Sequence, residues 1–123
     1  MDKSSEESLI KEITTNPRNI MAHGNLGNLY FNEERYDEAI EAYQKVIEID
    51  SKQVAAYNNL GNVYAKQERY NEAIEVYQKT IELNPEQIAE YNNLIDKYKR
   101  ILQSKIKKNP LRFFRKLFGV FRK

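Results

Sequence analysis

The 123-residue sequence has no cysteine and no tryptophan, one histidine, three prolines and four glycines. Without cysteine there is no disulfide framework and no thiolate metal site. The lone histidine, His23, cannot build a His-rich metal centre, and no cofactor is expected. No apolar run approaches the ~20 residues that a helix needs to cross a bilayer. The chain does not open on a basic segment followed by an apolar one, so cytosolic synthesis without secretion is the expectation. There is no G-x-G-x-x-G and no P-loop, and no Ser or Cys nucleophile has a histidine base at a recognisable spacing. An enzyme is not expected.

What is present is charge, unevenly placed. The formal net charge is only +2, but residues 1–96 hold nine Lys/Arg against all eighteen Asp/Glu, while residues 97–123 hold eleven Lys/Arg and no acid. The chain is an acidic body with a basic tail, and the tail is suited to an anionic partner. Hydrophobic residues make up 41% of the chain, enough to pack a core.

The body repeats itself. Residues 20–53 and 54–87, offset by 34, are identical at nineteen positions. NLGN at 25–28 returns at 59–62, ERY at 34–36 at 68–70, EAIE at 38–41 at 72–75, and YQK at 43–45 at 77–79. All nine tyrosines fall into sets spaced by 34: 30/64/98, 36/70, 43/77 and 57/91. Each unit reads as two helices. Tyr57, Leu60, Gly61 and Tyr64 follow the i, i+3, i+4, i+7 pattern of one helical face. KQERYN interrupts the period, a second helix starts at about Asn71 with Ala73, Ile74, Tyr77 and Ile81 on its face, and Asn84-Pro85 stops it. Gly61 and Ala73 are small where two helices must touch closely.

These residues resemble the tetratricopeptide repeat (TPR) family, whose 34-residue unit carries W-x2-L-G-x2-Y, then A, F/Y and P. The second unit matches at Tyr57, Leu60, Gly61, Tyr64, Ala73, Tyr77 and Pro85. The first matches at His23, Leu26, Gly27, Tyr30, Ala39 and Tyr43, with Ser51 in place of proline. The resemblance spans about residues 4–103. It implies an all-α, short TPR-type solenoid of helical hairpins, with a partial leading repeat at 1–17, repeats at 20–53 and 54–87 and a terminal capping helix at 88–107. A C-terminal basic amphipathic tail helix at 108–123, read from its own residues below, completes the expected architecture. The third unit departs at Ile95, where glycine is expected, and lacks the Ala/Tyr helix that should follow.

In the family the first helix of each repeat lines a concave surface. The groove residues implied are Asn25, Asn28, Phe31, Asn58, Asn59, Asn62, Asn92 and Asn93. Asn25, Asn59 and Asn93, 34 apart, should stack as a ladder whose amides can pair with a peptide backbone, although asparagine is also ordinary usage at these positions. The co-chaperones of the family that grip a C-terminal carboxylate use Lys, Asn, Asn, Lys and Arg. Asn28 and Asn59 match the asparagines, but the basic positions fall on Gly24, Ala89 and Asn93, so that grip is not expected. His23 reads as a packing residue in the position of Tyr57 and Tyr91. Glu41/Lys45 and Glu75/Lys79 read as surface i, i+4 pairs.

In the tail, Asn109-Pro110 breaks the preceding helix. On a helical wheel Leu111, Phe113, Phe114, Leu117, Phe118, Val120 and Phe121 fill one half, and Arg112, Arg115, Lys116, Gly119, Arg122 and Lys123 the other. Thirteen residues reach ~20 Å, too short to span a bilayer. A basic face opposite a Phe/Leu face describes an interfacial membrane helix. Docking on a partner or on the acidic body is the alternative. Nucleic-acid binding fits the charge but not the apolar stripe, and is not expected. The function expected is a cytoplasmic, non-enzymatic scaffold that binds a protein partner in its groove and sits peripherally on an anionic membrane surface, in assembly or recruitment of membrane complexes.

Overall fold

The computed structural model describes residues 3–118, without the side chains of Phe113 and Phe118. Gly119–Lys123, and with them the tail position Phe121, lie outside the described residues, as do the side chains at Phe113 and Phe118. The described chain is helical, with no strand. Its elements are α1 (Lys3–Thr15), α2 (Ile20–Asn32), α3 (Tyr36–Ile49), α4 (Val54–Lys66), α5 (Tyr70–Leu83), a 3₁₀ turn (Pro85–Gln87), α6 (Ile88–Lys108) and α7 (Pro110–Phe118). Each helix packs mainly on the helices before and after it in the chain, the nearest-neighbour stacking of a solenoid. No described helix is long and apolar enough to cross a membrane.

The hairpin turns are built without glycine. Glu34 and Glu68 adopt φ of 58° and 59°, the left-handed conformation that usually calls for glycine. The Arg35 N–H then donates to the Tyr30 carbonyl at 2.8 Å and the Glu34 N–H to the Phe31 carbonyl at 3.0 Å. Arg69 to Tyr64 and Glu68 to Ala65 repeat both bonds at the same lengths. This is a Schellman closure, in which the helix's last carbonyls find partners in the turn. The side chain after the left-handed residue folds back over the helix it ends. The guanidinium of Arg35 lies 4.4 Å from the Tyr30 ring centre, and that of Arg69 4.7 Å from Tyr64.

The core runs along the helix interfaces. Ala39, Val63, Ala73 and Thr80 are fully buried, and Tyr77 nearly so. Thr80, where the first repeat has Val46, satisfies its buried hydroxyl by donating to the Val76 carbonyl at 3.1 Å. The small size of Gly27 and Gly61 serves a tyrosine. A Cβ on Gly27 would lie 2.6 Å from the Tyr43 ring, and one on Gly61 2.6 Å from the Tyr77 ring. His23 is a buried packing residue, as expected, and its Nε2 donates to the Pro17 carbonyl at 2.9 Å. Tyr57, its counterpart, donates to the Ser51 carbonyl at 3.1 Å. Ser51 therefore keeps the contact although it replaces proline. The surface pairing differs from the i, i+4 expectation: Lys45 and Lys79 turn forward to Glu48 and Glu82, three residues on, at 3.2 and 3.7 Å. Both neighbours lie within reach on a helix surface, and such exposed pairs contribute only a few tenths of a kcal/mol.

The leading helix α1 is tied down by one cluster. Arg35 bonds Glu6 through Nη1 at 2.9 Å and Nη2 at 3.2 Å, and also binds Glu33 and Glu38. The Tyr30 hydroxyl donates to Glu6 at 3.0 Å. The Arg35 hydrogen bonds hold the carboxyls of Glu6 and Glu38 below their usual range. Burial and then the Glu6 carboxylate push the Tyr30 hydroxyl up to about 12.

Besides Ile95 in place of glycine, the third unit breaks the pattern at its turn. Leu102 and Gln103 stand where the first two units have the left-handed Glu and its Arg. Gln103 brings no guanidinium to fold over Tyr98 as Arg35 and Arg69 fold over Tyr30 and Tyr64, so nothing offsets the cost of a left-handed side chain at Leu102. So α6 does not turn after Tyr98 but continues to Lys108, past the point where the first helix of each complete repeat ends.

Candidate functional site

Two adjoining cavities lie along the inner helices. The first, about 270 Å³, is lined by Asn28, Phe31, Asn32, Tyr43, Asn59 and Asn62. The second, about 430 Å³, is lined by Phe31, Asn62, Ala65, Lys66, Tyr70, Lys97, Tyr98 and Ile101. Phe31 and Asn62 belong to both, so the cavities read as one groove crossing α2, α4 and α6.

Of the expected groove residues, Asn28, Phe31, Asn59 and Asn62 line this surface. Asn25, Asn58, Asn92 and Asn93 line neither cavity; Asn25 and Asn93 are exposed, and Asn59 is half-buried. Asn58 accepts a hydrogen bond from the Tyr91 hydroxyl at 2.9 Å, which ties α4 to α6.

The amides at 28 and 62 are partly committed. Asn28 Oδ1 accepts from the Tyr43 hydroxyl and Asn62 Oδ1 from the Tyr77 hydroxyl, both at 2.5 Å. Burial pushes the Tyr43 hydroxyl up to about 12 and raises that of Tyr77 as well, so both phenols stay protonated donors. With the amide oxygens engaged, the Nδ2 groups are what these two asparagines offer a ligand. The same tyrosines fill the space left by Gly27 and Gly61. One side chain thus packs the hairpin and orients a groove amide.

The aromatic wall and the cations are what sequence reasoning missed. Because α6 does not turn after Tyr98, that ring has no arginine over it. It stacks instead on Tyr70 at 4.9 Å and 25°, with Tyr77 at 6.2 Å. Lys66 and Lys97 lie one turn beyond Asn62 and Asn93, and that i+4 extension was the available signal. The Lys97 ammonium is 5.9 Å from the Tyr98 ring centre.

At the other end, the Asn109 side chain accepts from the Arg112 N–H at 3.0 Å, capping α7 with Pro110 in its first turn. Leu111, Phe114 and Leu117 are exposed, as are Arg112, Arg115 and Lys116. The contacts of α7 are chiefly with the adjoining end of α6. Lys105, near the end of α6, reaches back to Glu68 at 3.5 Å and sits 5.4 Å from the Tyr70 ring centre. Among the described residues no three His, Asp or Glu side chains converge as a metal site.

The comparisons with known proteins agree with this architecture. Residues 27–68 match the family described as TPR repeat, and residues 54–87 the family described as tetratricopeptide repeat. No curated protein sequence matches the chain. Among solved structures, the chain is similar to the first TPR of Spaghetti (RPAP3) bound to the HSP90 peptide SRMEEVD. The TM-score is 0.72 at 20% identity, covering 80% of this chain and 77% of that one. It is also similar to the TPR2B domain of yeast Sti1 in its pHsp70 complex, with a TM-score of 0.69 at 20% identity, covering 77% of this chain and 80% of that one. At that identity the likeness is one of fold. With the repeat matches, the hairpin geometry and these relatives in fold taken together, the chain belongs to the tetratricopeptide repeat family.

Proposed function

We propose that this protein is a non-enzymatic TPR adaptor that holds an extended segment of a protein partner in its groove and rests on an anionic membrane surface through α7. The groove reading is carried by the two cavities that meet at Phe31 and Asn62, where amide donors alternate with aromatic walls. The neighbours in fold hold HSP90 and Hsp70 partners, which supports a protein ligand for the same concave side. A chaperone C-terminus is not the ligand proposed, since Gly24, Ala89 and Asn93 supply no cation where the carboxylate grip needs one. Recruitment or assembly of membrane complexes, on the cytoplasmic side, is the setting that fits both ends of the molecule.

The membrane reading rests on α7. Leu111 and Leu117 are 62% and 61% exposed on a helix that also carries Arg112, Arg115 and Lys116. Each fully buried Leu or Phe contributes ~1.5–3 kcal/mol, and each Lys or Arg near an anionic leaflet about 1 kcal/mol. The test is sedimentation of the full chain with vesicles containing anionic lipid. Binding should be strong at low salt, partly retained at high salt because the apolar share is not screened, and lost in Phe114→Glu with Leu117→Glu. A chain that stays in the supernatant at low salt, yet binds an acidic protein through α7, would replace the membrane with a docking partner.

A further inference from the structure

We infer that the larger cavity recognises an acidic side chain within an extended peptide, placed next to an apolar one. The inference rests on the groove reading above and names the chemistry of its ligand. Residues 1–96 carry twice as many acids as bases, yet no carboxylate lines this cavity. Its nitrogen groups are all donors. Lys66 and Lys97 are ammoniums, and Asn62 has its amide oxygen engaged by Tyr77, leaving the NH₂. In the two repeats Arg35, Lys45, Arg69 and Lys79 each pair with a glutamate, as does Lys105 of α6; among the described residues Lys52 of the first repeat does not, but it lies outside this cavity. Among the described residues Lys66 and Lys97 pair with none. Tyr70 and Tyr98 can donate or accept, but the two ammoniums and the Asn62 NH₂ only donate, and a carboxylate, which only accepts, is the ligand group that matches them.

The apolar part of the preference comes from the same lining. Phe31, Tyr98 and Ile101 border the two lysines, and Tyr98 is held by its stack on Tyr70. In an extended peptide alternate side chains point to the same face, so an acid and an apolar residue two positions apart can both reach this surface. The chain's own tail is a poor occupant, in cis or from a second copy. Residues 97–123 contain no acid and would bring further cations to the two ammoniums.

The experiment uses the full chain and short labelled peptides, acetylated and amidated so that no terminal charge contributes, read by fluorescence anisotropy at low salt. The probes alternate Glu with Leu, Gln with Leu, or Lys with Leu. The Glu-Leu peptide should bind about tenfold more tightly than the Gln-Leu peptide, and the Lys-Leu peptide should be weakest. Lys66→Met with Lys97→Met should bring Glu-Leu binding down to the Gln-Leu level while the helical circular dichroism is unchanged. Equal binding of the Glu and Gln peptides, or a double variant that keeps full preference for Glu, overturns the inference and leaves the groove reading standing. Failure of every peptide to bind overturns both.

Discussion

Tyr64 and Tyr98 begin with the same part and finish differently. Tyr64 ends its helix beneath Arg69, whereas Tyr98, 34 residues on, sits within a helix that continues for ten residues to Lys108. In the two complete repeats the same contacts recur, from the left-handed glutamate to the arginine over a tyrosine to the tyrosine hydroxyl on an asparagine. In the third unit the arginine is replaced, the ring is released, and it becomes the wall of the larger cavity. Repetition builds the frame. The departure from repetition shapes the groove.

The frame breaks most severely where the repeats are most alike. Gly61→Leu should destabilise at or above the upper end of the about 1–3 kcal/mol typical of overpacking, because the Tyr77 ring it would strike is buried and anchored to Asn62. That lowers Tm by roughly 10 °C or more. Gly24, three residues before Gly27 in α2, is the control, since a Cβ there meets nothing within 4 Å. Gly24→Ala should stabilise by about 0.5–1 kcal/mol through helix propensity alone. Thermal melts of the two variants should move in opposite directions. A Gly61→Leu protein that melts with the parent would refute the close approach of Tyr77.

The second comparison sets α1 against the repeats it caps. Its tie is the Glu6 carboxylate on Arg35 and Tyr30. The folded-state pKa values of Glu6 and Glu38 are lowered, chiefly by hydrogen bonds from Arg35. Their contribution is therefore complete above the unfolded carboxylate range of about 4 and is lost as pH falls through the lowered folded values. Acidification should release α1 before α3–α5, seen as loss of amide protection confined to residues 3–15. In Glu6→Gln that protection should be lower at neutral pH and should change less on acidification. Uniform loss of protection across the chain would show that α1 is held by Leu9 and Ile13 packing rather than by the charge cluster.

How far this was legible in the sequence follows from the same residues. The hairpins could be read because 34-residue identity and the Leu-Gly-x-x-Tyr spacing are local and repeated. The groove was half legible: Asn28, Phe31, Asn59 and Asn62 follow from helix register, but which amide oxygen is already engaged depends on Tyr43 and Tyr77 of a different helix. The Tyr98 wall was hidden for another reason. Its partner Tyr70 comes from α5, and the pairing exists only because Leu102 and Gln103 fail to make the turn that Glu68 and Arg69 make. Repeat alignment predicts the contacts that recur and says nothing of a ring whose usual cover is missing. Glu at the left-handed position was hidden too, since composition offers no sign that a glutamate will hold φ near 58°.

Those two glutamates supply the finest comparison. Glu34 and Glu68 hold the same φ in the same turn, and each places a Cβ where a left-handed residue costs about 1–2 kcal/mol. Glycine removes that strain but gives back about 0.5–1 kcal/mol in chain entropy. Glu34→Gly should therefore stabilise by a few tenths to about 1 kcal/mol. Glu68→Gly should gain less, because Glu68 also meets Lys105 of α6 at 3.5 Å and, among the described residues, Glu34 has no such partner in an ion pair. Both partners are more than half exposed, so the bond contributes between about 0 and 1 kcal/mol. The Lys105→Ala background isolates it: there the two glycine substitutions should gain equally, since the turns they relieve are the same. Urea titrations of the two single variants and their Lys105→Ala forms are the measurement. If the gap between Glu34→Gly and Glu68→Gly persists after Lys105 is removed, the difference lies in the turns themselves, and the extension of α6 is not fastened to the second repeat by that pair.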